Sequence, residues 1–574
     1  MKRRLYMDGN RKSQRQRAQQ QRRLNFILAM LLAAVCLLGG IGFLIDRYLI
    51  PSRTHVDLAE YYGAGEGRIS LVLQETRAEE DGYVLDGKVY LPLSLVQDRL
   101  DDRYYWDGTE ILYALPEEVR HILPSADTYL LQDGAPVLSL ELLQQYTGIE
   151  WTKQESPDRI WIWNRWGEIP YSVCRKDTEL RTEASIKGDI FQDLKEGEAV
   201  ALLEDGEEWA RVQTEAGISG YVRKKALGDA AVMLAENPVQ IPEYTSRSLG
   251  KPVCLVWHQV TNKESNGKFQ ELIGRTSGVN VVSPTWFTIQ DTAGNLLSFA
   301  DKSYVDQAHA LGMQVWALVG NLQVDIDDYA WISNSAARAN TVNQLINAAA
   351  EYGFDGVNVD LEALDKSCEG HYIQFIRELS SACRKAGLIL SVDNYAPTSG
   401  TAFYNRKAQA ETVDYVIVMG YDEHWNGGPE AGSTASLPFV KKGIADTLAQ
   451  SVPAEKLING IPFYTRLWAE EAAGLTSTAK GMDEARQLLE THGADITWDD
   501  KLNQYYGEYW ENGIHYQIWL EDAKSVQAKL NAMKEQNLAG VACWKLGLES
   551  TEVWPVIRQY LEETAGSQGT LSGE

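Results

Sequence analysis

Residues 352–364, with the sequence YGFDGVNVDLEAL, combine the pattern of a buried strand with side chains capable of acid–base chemistry. Apolar and polar side chains alternate, in the order Val357, Asn358, Val359, Asp360, Leu361 and Glu362. Side chains two positions apart in a strand point to the same face, so one face is apolar and the other carries two carboxylates and an amide. Burying unpaired carboxylates is costly. The segment therefore predicts a strand that opens onto a cleft in which Asp360 and Glu362 are used.

The elements that must position this strand begin near residue 253, where short apolar runs start to alternate with helical patterns. The predicted strands lie at 253–257, 279–283, 313–319, 355–362, 388–393, 414–420, 456–461 and 539–545. Eight strands alternating with helices predict an α/β fold, a (β/α)₈ TIM barrel, whose active site lies at the C-terminal strand ends. Residues 466–519, rich in Trp and Tyr, interrupt the last two units and predict an inserted α+β subdomain.

Several short motifs follow one another at these strand ends. FDGVNVDLE is similar to DGxDxDxE, VMGYDEH matches MxYD, and SPTWF, GIPFYTRLW and GVACWKLG fall on predicted strands two, seven and eight. Together they make residues 250–562 resemble glycoside hydrolase family 18, in the bacterial peptidoglycan-active branch that includes spore cortex-lytic N-acetylglucosaminidases. Several motifs in order are far more specific than one.

The resemblance implies a retaining glycosidase in which the 2-acetamido group of the substrate acts as the nucleophile. Glu362 at the strand end would be the acid that protonates the leaving oxygen. Asp360, one step deeper on the same face, would accept the acetamido N–H and stabilise the developing positive charge. Tyr421 would donate its hydroxyl to the acetamido carbonyl. An alternative is that Asp360 and Glu362 are structural ion-pair partners in a barrel that has lost catalysis.

Further positions are expected to line or support the sugar subsite, namely Asp355, Met419, Asp422, Trp544, Arg466 and Asn394. Trp544 would form the floor by stacking, although aromatic side chains also fill barrel cores. Arg466 and Asn394 could equally hold loops in place. No metal or other cofactor is implied.

Asn358 departs from the family pattern, which has Asp at this position. In that pattern two inner acids can share a proton. An amide is instead expected to donate a hydrogen bond to Asp360 and to favour its ionised form.

The N-terminal region combines a basic tail with an apolar run. Residues 1–23 hold nine Lys/Arg and one Asp, whereas the rest of the chain carries a formal charge of −34. Residues 26–45 are apolar and uncharged, which predicts one transmembrane helix at about 24–48 with a cytoplasmic N-terminus and an extracellular catalytic domain at the cell membrane. The alternative is a cleaved signal peptide. So acidic an ectodomain argues against nucleic-acid binding.

Two smaller modules are predicted between the membrane segment and the barrel. Residues 68–165 resemble the copper amine oxidase N-terminal-like module of bacterial envelope proteins, but His121 stands there without a ligand cluster, so no copper is expected. Residues 171–228 resemble bacterial SH3-like domains, on Trp209, Val212, Gly220, Tyr221 and Val222. That family implies attachment to the cell wall or to a neighbouring protein, and a simple spacer is equally open. Residues 563–574 are expected to form a disordered tail.

The six cysteines have no CxxC spacing and no His pairing suited to zinc, so we interpret them mainly as buried thiols. They are Cys36, Cys174, Cys254, Cys368, Cys383 and Cys543.

Three functions are compatible with these features. The first is a membrane-anchored hydrolase of N-acetylglucosaminyl bonds in peptidoglycan. The second is a chitinase or an endo-N-acetylglucosaminidase acting on other glycans, which the tether and the SH3-like module disfavour because they would hold the enzyme near its own wall. The third is a non-catalytic glycan-binding protein, which the intact acid disfavours.

Overall fold

The computed structural model of the protein describes residues 2–472 and 474–571. The chain begins with the helix Lys2–Leu49. Its segment Gln19–Ile41 has a mean hydropathy of 2.5 and no part buried, so it is long and apolar enough to span a membrane. A signal sequence has the same composition, and the membrane orientation therefore stays a prediction.

Residues 2–100 and 125–241 form one compact unit, which contains two sheets. The first sheet holds the strands Arg68–Leu73, Thr76–Arg77, Gly82–Leu85, Lys88–Pro92, Tyr129–Gln132, Ala135–Ser139, Glu150–Glu155 and Asp158–Trp163, accompanied by the helices Leu58–Tyr61, Leu93–Arg99 and Leu140–Thr147. The second holds Gly167–Val173, Thr178–Arg181, Ile190–Leu194, Ala199–Asp205, Trp209–Gln213, Ser219–Arg223 and Ala231–Ala235, with the 3₁₀ turn Lys224–Ala226. These β-rich regions fall where the two small modules are predicted, and their family assignments stay predictions.

The segment that follows the N-terminal helix is tied to the second sheet. The Ser52 N–H donates to the Ile186 carbonyl at 2.7 Å, and the Val56 N–H donates to the Ile190 carbonyl at 2.8 Å. This sheet is thus hydrogen-bonded to the chain within a few residues of the apolar helix.

The other compact unit contains the barrel and residues 101–124. That short segment forms the three-stranded sheet Tyr104–Trp106, Ile111–Ala114 and Val119–Ile122, within the region predicted as the 68–165 module. It packs on barrel helices: the Arg377 guanidinium donates to Asp102 at 2.8 Å, and that of Arg338 donates to the Tyr105 hydroxyl at 3.3 Å. The domain boundaries proposed from sequence stay predictions.

The barrel confirms the fold predicted from sequence. Its eight parallel strands are Val253–His258, Val281–Pro284, Gln314–Gly320, Gly356–Asp360, Ile389–Tyr395, Tyr415–Met419, Leu457–Pro462 and Gly540–Trp544. Each pairs with the next, and the eighth pairs with the first, so the sheet is closed. The strands are numbered one to eight below.

Helices surround these strands, because each helix buries an apolar face against the outside of the sheet. They are Phe269–Ile273, Lys302–Ala310, Asp328–Ile332, Ser335–Tyr352, Glu369–Ala386, Arg406–Thr412, Leu437–Ala449, Ala523–Glu535 and Val553–Leu571, with 3₁₀ turns at Lys263–Lys268, Lys366–Cys368, Ser399–Tyr404 and Ala454–Lys456 and a hairpin of Phe287–Ile289 and Leu296–Ser298. The last helix extends into the predicted tail 563–574, of which residues 572–574 lie outside the described part.

The predicted insertion is present between strand seven and the helix Ala523–Glu535. It is an antiparallel sheet of Tyr464–Glu471, Gly474–Gly481, Thr497–Asp499, Gln504–Glu511 and Ile514–Leu520, covered by the helix Met482–Thr491. Five cysteines of the chain are buried and Cys36 is exposed; none of the six is in a disulfide.

Candidate active site

The polar side chains of strand four point into the interior of the barrel. Val357 and Val359 are fully buried in the apolar layer between strands and helices. Because side chains alternate along a strand, Asn358 and Asp360 point to the opposite side, into the barrel. Asp360 is the last strand residue, and Glu362 follows at the C-terminal mouth.

The loop after strand four is held by polar side chains from neighbouring strands. The Asn321 amide accepts a hydrogen bond from the Glu362 N–H and donates one to the Glu362 carbonyl, each at 2.9 Å. The Tyr395 hydroxyl accepts the Ala363 N–H at 3.1 Å. Ala363 has a φ of 54°, an unusual value for a residue with a Cβ. These bonds fix the Glu362 backbone at the mouth of the barrel.

An open cavity with an empty volume of about 580 Å³ lies above these residues. It is lined by Trp257, Asp360, Glu362, Asp393, Tyr395, Met419, Tyr421, Asp422 and Trp544. Six of the ten predicted site residues are therefore brought together: Asp360, Glu362, Met419, Tyr421, Asp422 and Trp544. None of the nine lining side chains is Lys or Arg, and Asp360 and Glu362 have no ion pair within the described ranges. The alternative that these two are structural ion-pair partners finds no support in this geometry.

The surroundings favour the protonated forms of two carboxyl groups. Burial raises the pKa of Glu362. The hydrogen bond from Tyr395 lowers this pKa, and the nearby Asp422 carboxylate raises it further. Burial, together with the charges of Asp393 and Glu362, raises the pKa of Asp360 well above its usual range. A carboxyl group whose pKa is raised in this way keeps its proton to a higher pH than an ordinary glutamate does and can act as a general acid.

Tyr421 and Asp422 lie on the loop after strand six, as predicted. Burial raises the pKa of Tyr421 well above its usual range, so its hydroxyl stays a donor. Asp422 accepts hydrogen bonds from the Tyr464 hydroxyl at 2.5 Å and from the Arg466 guanidinium at 3.3 Å. Arg466 is therefore placed behind Asp422, outside the cavity lining.

Trp544, at the end of strand eight, is half-buried and lines the cavity. Its ring lies 5.9 Å from that of Trp257, with an angle of 60° between the two planes. Trp257 is almost fully buried, whereas Trp544 exposes one part to the cavity. An aromatic surface is thus available for stacking against a sugar ring.

The hydrogen bonds of Asn358 differ from those predicted. Its Nδ2 donates to Asp393 Oδ1 at 2.8 Å and to Ser391 Oγ at 3.1 Å, while its Oδ1 accepts from Trp257 and Ser283. The expected donation to Asp360 is therefore wrong, because both amide hydrogens are already committed to strand five. The expected shift of Asp360 towards its ionised form is wrong for the same reason.

Two predicted residues lie away from the cavity. Asp355 precedes strand four at the opposite end of the barrel, where Oδ2 accepts the Val315 N–H at 2.8 Å and contacts His309 Nε2 at 2.8 Å. Asn394 points outward, and its Nδ2 donates to Gln409 at 2.7 Å. Burial and hydrogen bonding explain both as supports of the barrel.

Three lining residues were missed in the sequence: Trp257, Asp393 and Tyr395. Asp393 and Tyr395 lie on either side of Asn394, so the interpretation of strand five was displaced by one residue and selected the wrong face. The alternation with Val392, which is buried in the outer apolar layer, was the signal that could have identified them. In residues 2–472 and 474–571, no group of three or more His, Cys, Asp or Glu side chains could hold a metal ion.

A closed barrel with acids at the C-terminal end of strand four defines the class of (β/α)₈ enzyme folds. The solved C-terminal domain of a Desulfitobacterium hafniense DCB-2 protein assigned as a chitinase matches this architecture, with a TM-score of 0.50 and 25% identity, over 54% of this chain and 99% of that domain. Residues 283–549 match the family model for glycosyl hydrolases family 18, so the chain contains a domain of that family.

Two curated relatives match part of the chain. An uncharacterized glycosylase of Bacillus subtilis, YvbX, is 28% identical over 294 residues, which are 49% of this chain and 84% of the relative. The cortical fragment-lytic enzyme of the same organism is 29% identical over 233 residues, 39% of this chain. That match spans about half of the cortical enzyme, 53% of its length.

Proposed function

We propose that this protein is a membrane-anchored glycoside hydrolase that cleaves N-acetylglucosaminyl bonds in peptidoglycan by a retaining, substrate-assisted mechanism. The observation that carries the proposal is the pair Asp360 and Glu362, unpaired with any basic group of the described chain, in one cavity with Tyr421 and Trp544. Structural carboxylates are normally paired when buried, whereas carboxyl groups that do acid–base work are held in such environments.

In the first step, Glu362 transfers its proton to the leaving glycosidic oxygen as the bond from C1 to that oxygen breaks. The acetamido carbonyl oxygen forms a new bond to C1, which gives a cyclic oxazolinium ion. The Tyr421 hydroxyl donates to this carbonyl oxygen, and Asp360 accepts the acetamido N–H. The cavity thereby supplies negative charge where positive charge develops.

In the second step, the Glu362 carboxylate accepts a proton from a water molecule as the water oxygen attacks C1. The bond between C1 and the acetamido oxygen breaks, and the acetamido group is regenerated. Two displacements at C1 retain the anomeric configuration. Glu362 ends the cycle protonated, ready for the next substrate.

The choice of peptidoglycan is supported by the relatives and by the architecture. One group of relatives is named for lysis of spore cortical fragments. The apolar segment Gln19–Ile41, preceded by a basic tail, would anchor the barrel outside the cell, and the SH3-like region 171–228 would contact the wall. A tethered enzyme of this kind meets its own cell wall at high effective concentration.

The decisive experiment measures turnover by the detergent-solubilised full chain on purified peptidoglycan glycan strands beside chitin oligomers. Faster release of reducing ends from peptidoglycan supports the proposal, whereas a preference for chitin oligomers would make the protein a chitinase-type enzyme. Glycans with free 2-amino groups at the cleaved sugar should not be hydrolysed, and a thiazoline mimic of the oxazolinium ion should inhibit. Rapid cleavage of the de-N-acetylated glycan would contradict substrate assistance.

Topology is tested separately. Protease added to intact cells stripped of their wall should remove residues 51–574 and leave the basic tail protected. A fully protected barrel would contradict the anchored orientation.

A further inference from the structure

Asp393 is placed beside Asp360 by the register of the barrel. Strands four and five pair in parallel, with Asn358 opposite Ser391 and Val359 opposite Val392. Asp360 and Asp393 are therefore the next neighbours in register, and both side chains line the cavity. Asp393 is 3% exposed, so its carboxyl group lies at the buried base of the cavity rather than at its mouth.

The orientation of Asn358 follows from its partners. The indole N–H of Trp257 can only donate, so the amide atom that faces it at 2.9 Å must be the Asn358 oxygen. The Asn358 NH₂ group therefore faces strand five, and it donates to Asp393 at 2.8 Å. This hydrogen bond stabilises a negative charge on Asp393.

Asp360 has the opposite surroundings. Its Oδ1 is buried and has no hydrogen-bond partner within the described ranges. The ionisable groups that line the cavity with the two aspartates are Glu362 after strand four, Tyr395 on strand five, and Tyr421 and Asp422 after strand six. The buried phenols of Tyr372 and Tyr404 also interact with Asp360 from the surrounding helical layer. All of these are acids or phenols, and none supplies a positive charge. Two adjacent carboxylates in such a site cannot both be ionised, so they hold a proton between them.

We propose that Asp393 is a positioning residue that exchanges one proton with Asp360 as substrate binds. In the free protein the proton resides on Asp360, since Asp393 has the hydrogen bond that stabilises a charge. When an acetamido N–H reaches Asp360, the proton passes to Asp393 and Asp360 becomes the ionised acceptor. One proton moves and the pair keeps a single negative charge throughout.

This inference rests on the proposed function, and it assigns to strand five the second carboxyl group that residue 358 lacks. Burial and the charge of the neighbouring carboxylates raise the pKa of both aspartates well above their usual range, which agrees with a shared proton. Asn358 then serves to orient Asp393 rather than to contact substrate.

The test is a set of three variants compared by the acidic limb of their kcat/KM profiles. In the wild type the singly protonated pair is the active free form, so the limb reports loss of the negative charge on Asp393. Asp393→Asn removes the group that carries this charge and takes the proton. Asp360, whose Oδ1 has no hydrogen-bond donor within the described residues, must then ionise by itself, so the limb should move up by about one pH unit. Asn358→Asp removes the hydrogen bond that stabilises the Asp393 charge and adds a like charge beside it, so the limb should also move up. The double variant Asn358→Asp/Asp393→Asn relocates the carboxyl group and should return the limb close to the wild-type position. A structural role for Asp393 would give shifts that add in the double variant, instead of restoration.

A matched control removes a charge of the same type elsewhere. Asp306→Asn changes an exposed carboxylate that pairs with Lys302 on a barrel helix, and it should leave the pH profile unchanged. If Asp393→Asn behaves like this control while Glu362→Gln abolishes turnover, the inference is wrong and the proposed function survives. If the wild-type chain does not hydrolyse acetylated glycans at all, it is the proposed function that fails.

A spectroscopic measurement follows the proton directly. Infrared difference spectra of ¹³C-aspartate-labelled full chain should contain a protonated aspartate band that Asp360→Asn removes in the free protein. After the thiazoline mimic binds, Asp393→Asn should be the variant that removes the band. A band that stays with one aspartate in both states, or no protonated aspartate at all, would overturn the exchange.

Discussion

Two regions of the barrel unit bury carboxyl groups, and they treat them in opposite ways. Next to the insertion, Glu521 is almost fully buried and lies 2.8 and 2.9 Å from the equally buried Lys529 ammonium. Ser525 and Gln504 donate to the same carboxylate at 2.7 and 2.6 Å. In the cavity, Asp360 has no cation, and its buried Oδ1 has no hydrogen-bond partner, within the described part of the chain.

The difference separates a carboxylate that stabilises the fold from one that is available for chemistry. Burial raises the pKa of Glu521, and the Lys529 ammonium opposes this by lowering it. Both carboxylate oxygens of Glu521 accept hydrogen bonds. Asp360 has no such partners among the described residues, so its ionised form is costly until a substrate N–H reaches it. The four predictions below test this contrast.

The largest effect is expected at the acid of the cavity. Glu362→Gln keeps the shape of the side chain but removes the transferable proton, so kcat should fall by about 10²- to 10⁴-fold. The melting temperature should stay close to that of the wild type, since no partner is left unpaired. Steady-state turnover and calorimetry measure the two quantities. Near-normal turnover would reject Glu362 as the acid.

The opposite pattern is expected at the structural pair. Lys529→Met leaves Glu521 buried without its cation, which should lower the free energy of unfolding by about 3–5 kcal/mol. The folded-state pKa of Glu521 should rise further. The loss of stability should therefore be small at pH values below the unfolded-state pKa of Glu521 and grow as the pH rises above it. Denaturant unfolding at several pH values measures this. The folded variant should keep its kcat; a loss of kcat without a loss of stability would invalidate the contrast.

An intermediate effect is expected for the pH profile of the wild type. Glu362 must be protonated to act, and its pKa is raised, so activity should persist to a higher pH than an ordinary glutamate allows and then fall. The pair Asp360 and Asp393 must keep one negative charge, and burial raises the pKa of both groups, so the acidic limb should move up as well. The expected kcat/KM profile is a bell displaced to higher pH. A limb at the pH of an ordinary aspartate would contradict the buried environment of this pair.

The smallest effect is expected at the far end of strand four. Asp355→Asn keeps the size of the side chain and weakens its hydrogen bond to the Val315 N–H, which should cost about 1 kcal/mol of stability. The kcat should not change, because Asp355 lies outside the cavity. A decrease in kcat of more than tenfold at unchanged stability would show that this end of the barrel takes part in catalysis.

The sequence by itself determined the barrel and the strand that carries the acids. Alternating strand and helix patterns gave all eight strand positions, because each is fixed by local apolar periodicity. The placement of Asp360 and Glu362 on one side followed from the two-residue repeat of strand four. The apolar length of Gln19–Ile41 and the insertion after strand seven were local features of the same kind.

Only the tertiary structure decided which other side chains meet these acids. Strand five offers Asp393, Asn394 and Tyr395 in succession, and the packing of Val392 against the outer helices settles that Asp393 and Tyr395 face inward. Likewise, the Asn358 NH₂ group could donate to Asp360 or to Asp393. The Trp257 indole, on a strand 101 residues earlier, holds the Asn358 oxygen and so turns the NH₂ group towards Asp393. Hydrogen bonds between distant strands depend on barrel closure and register, and no local pattern encodes those contacts.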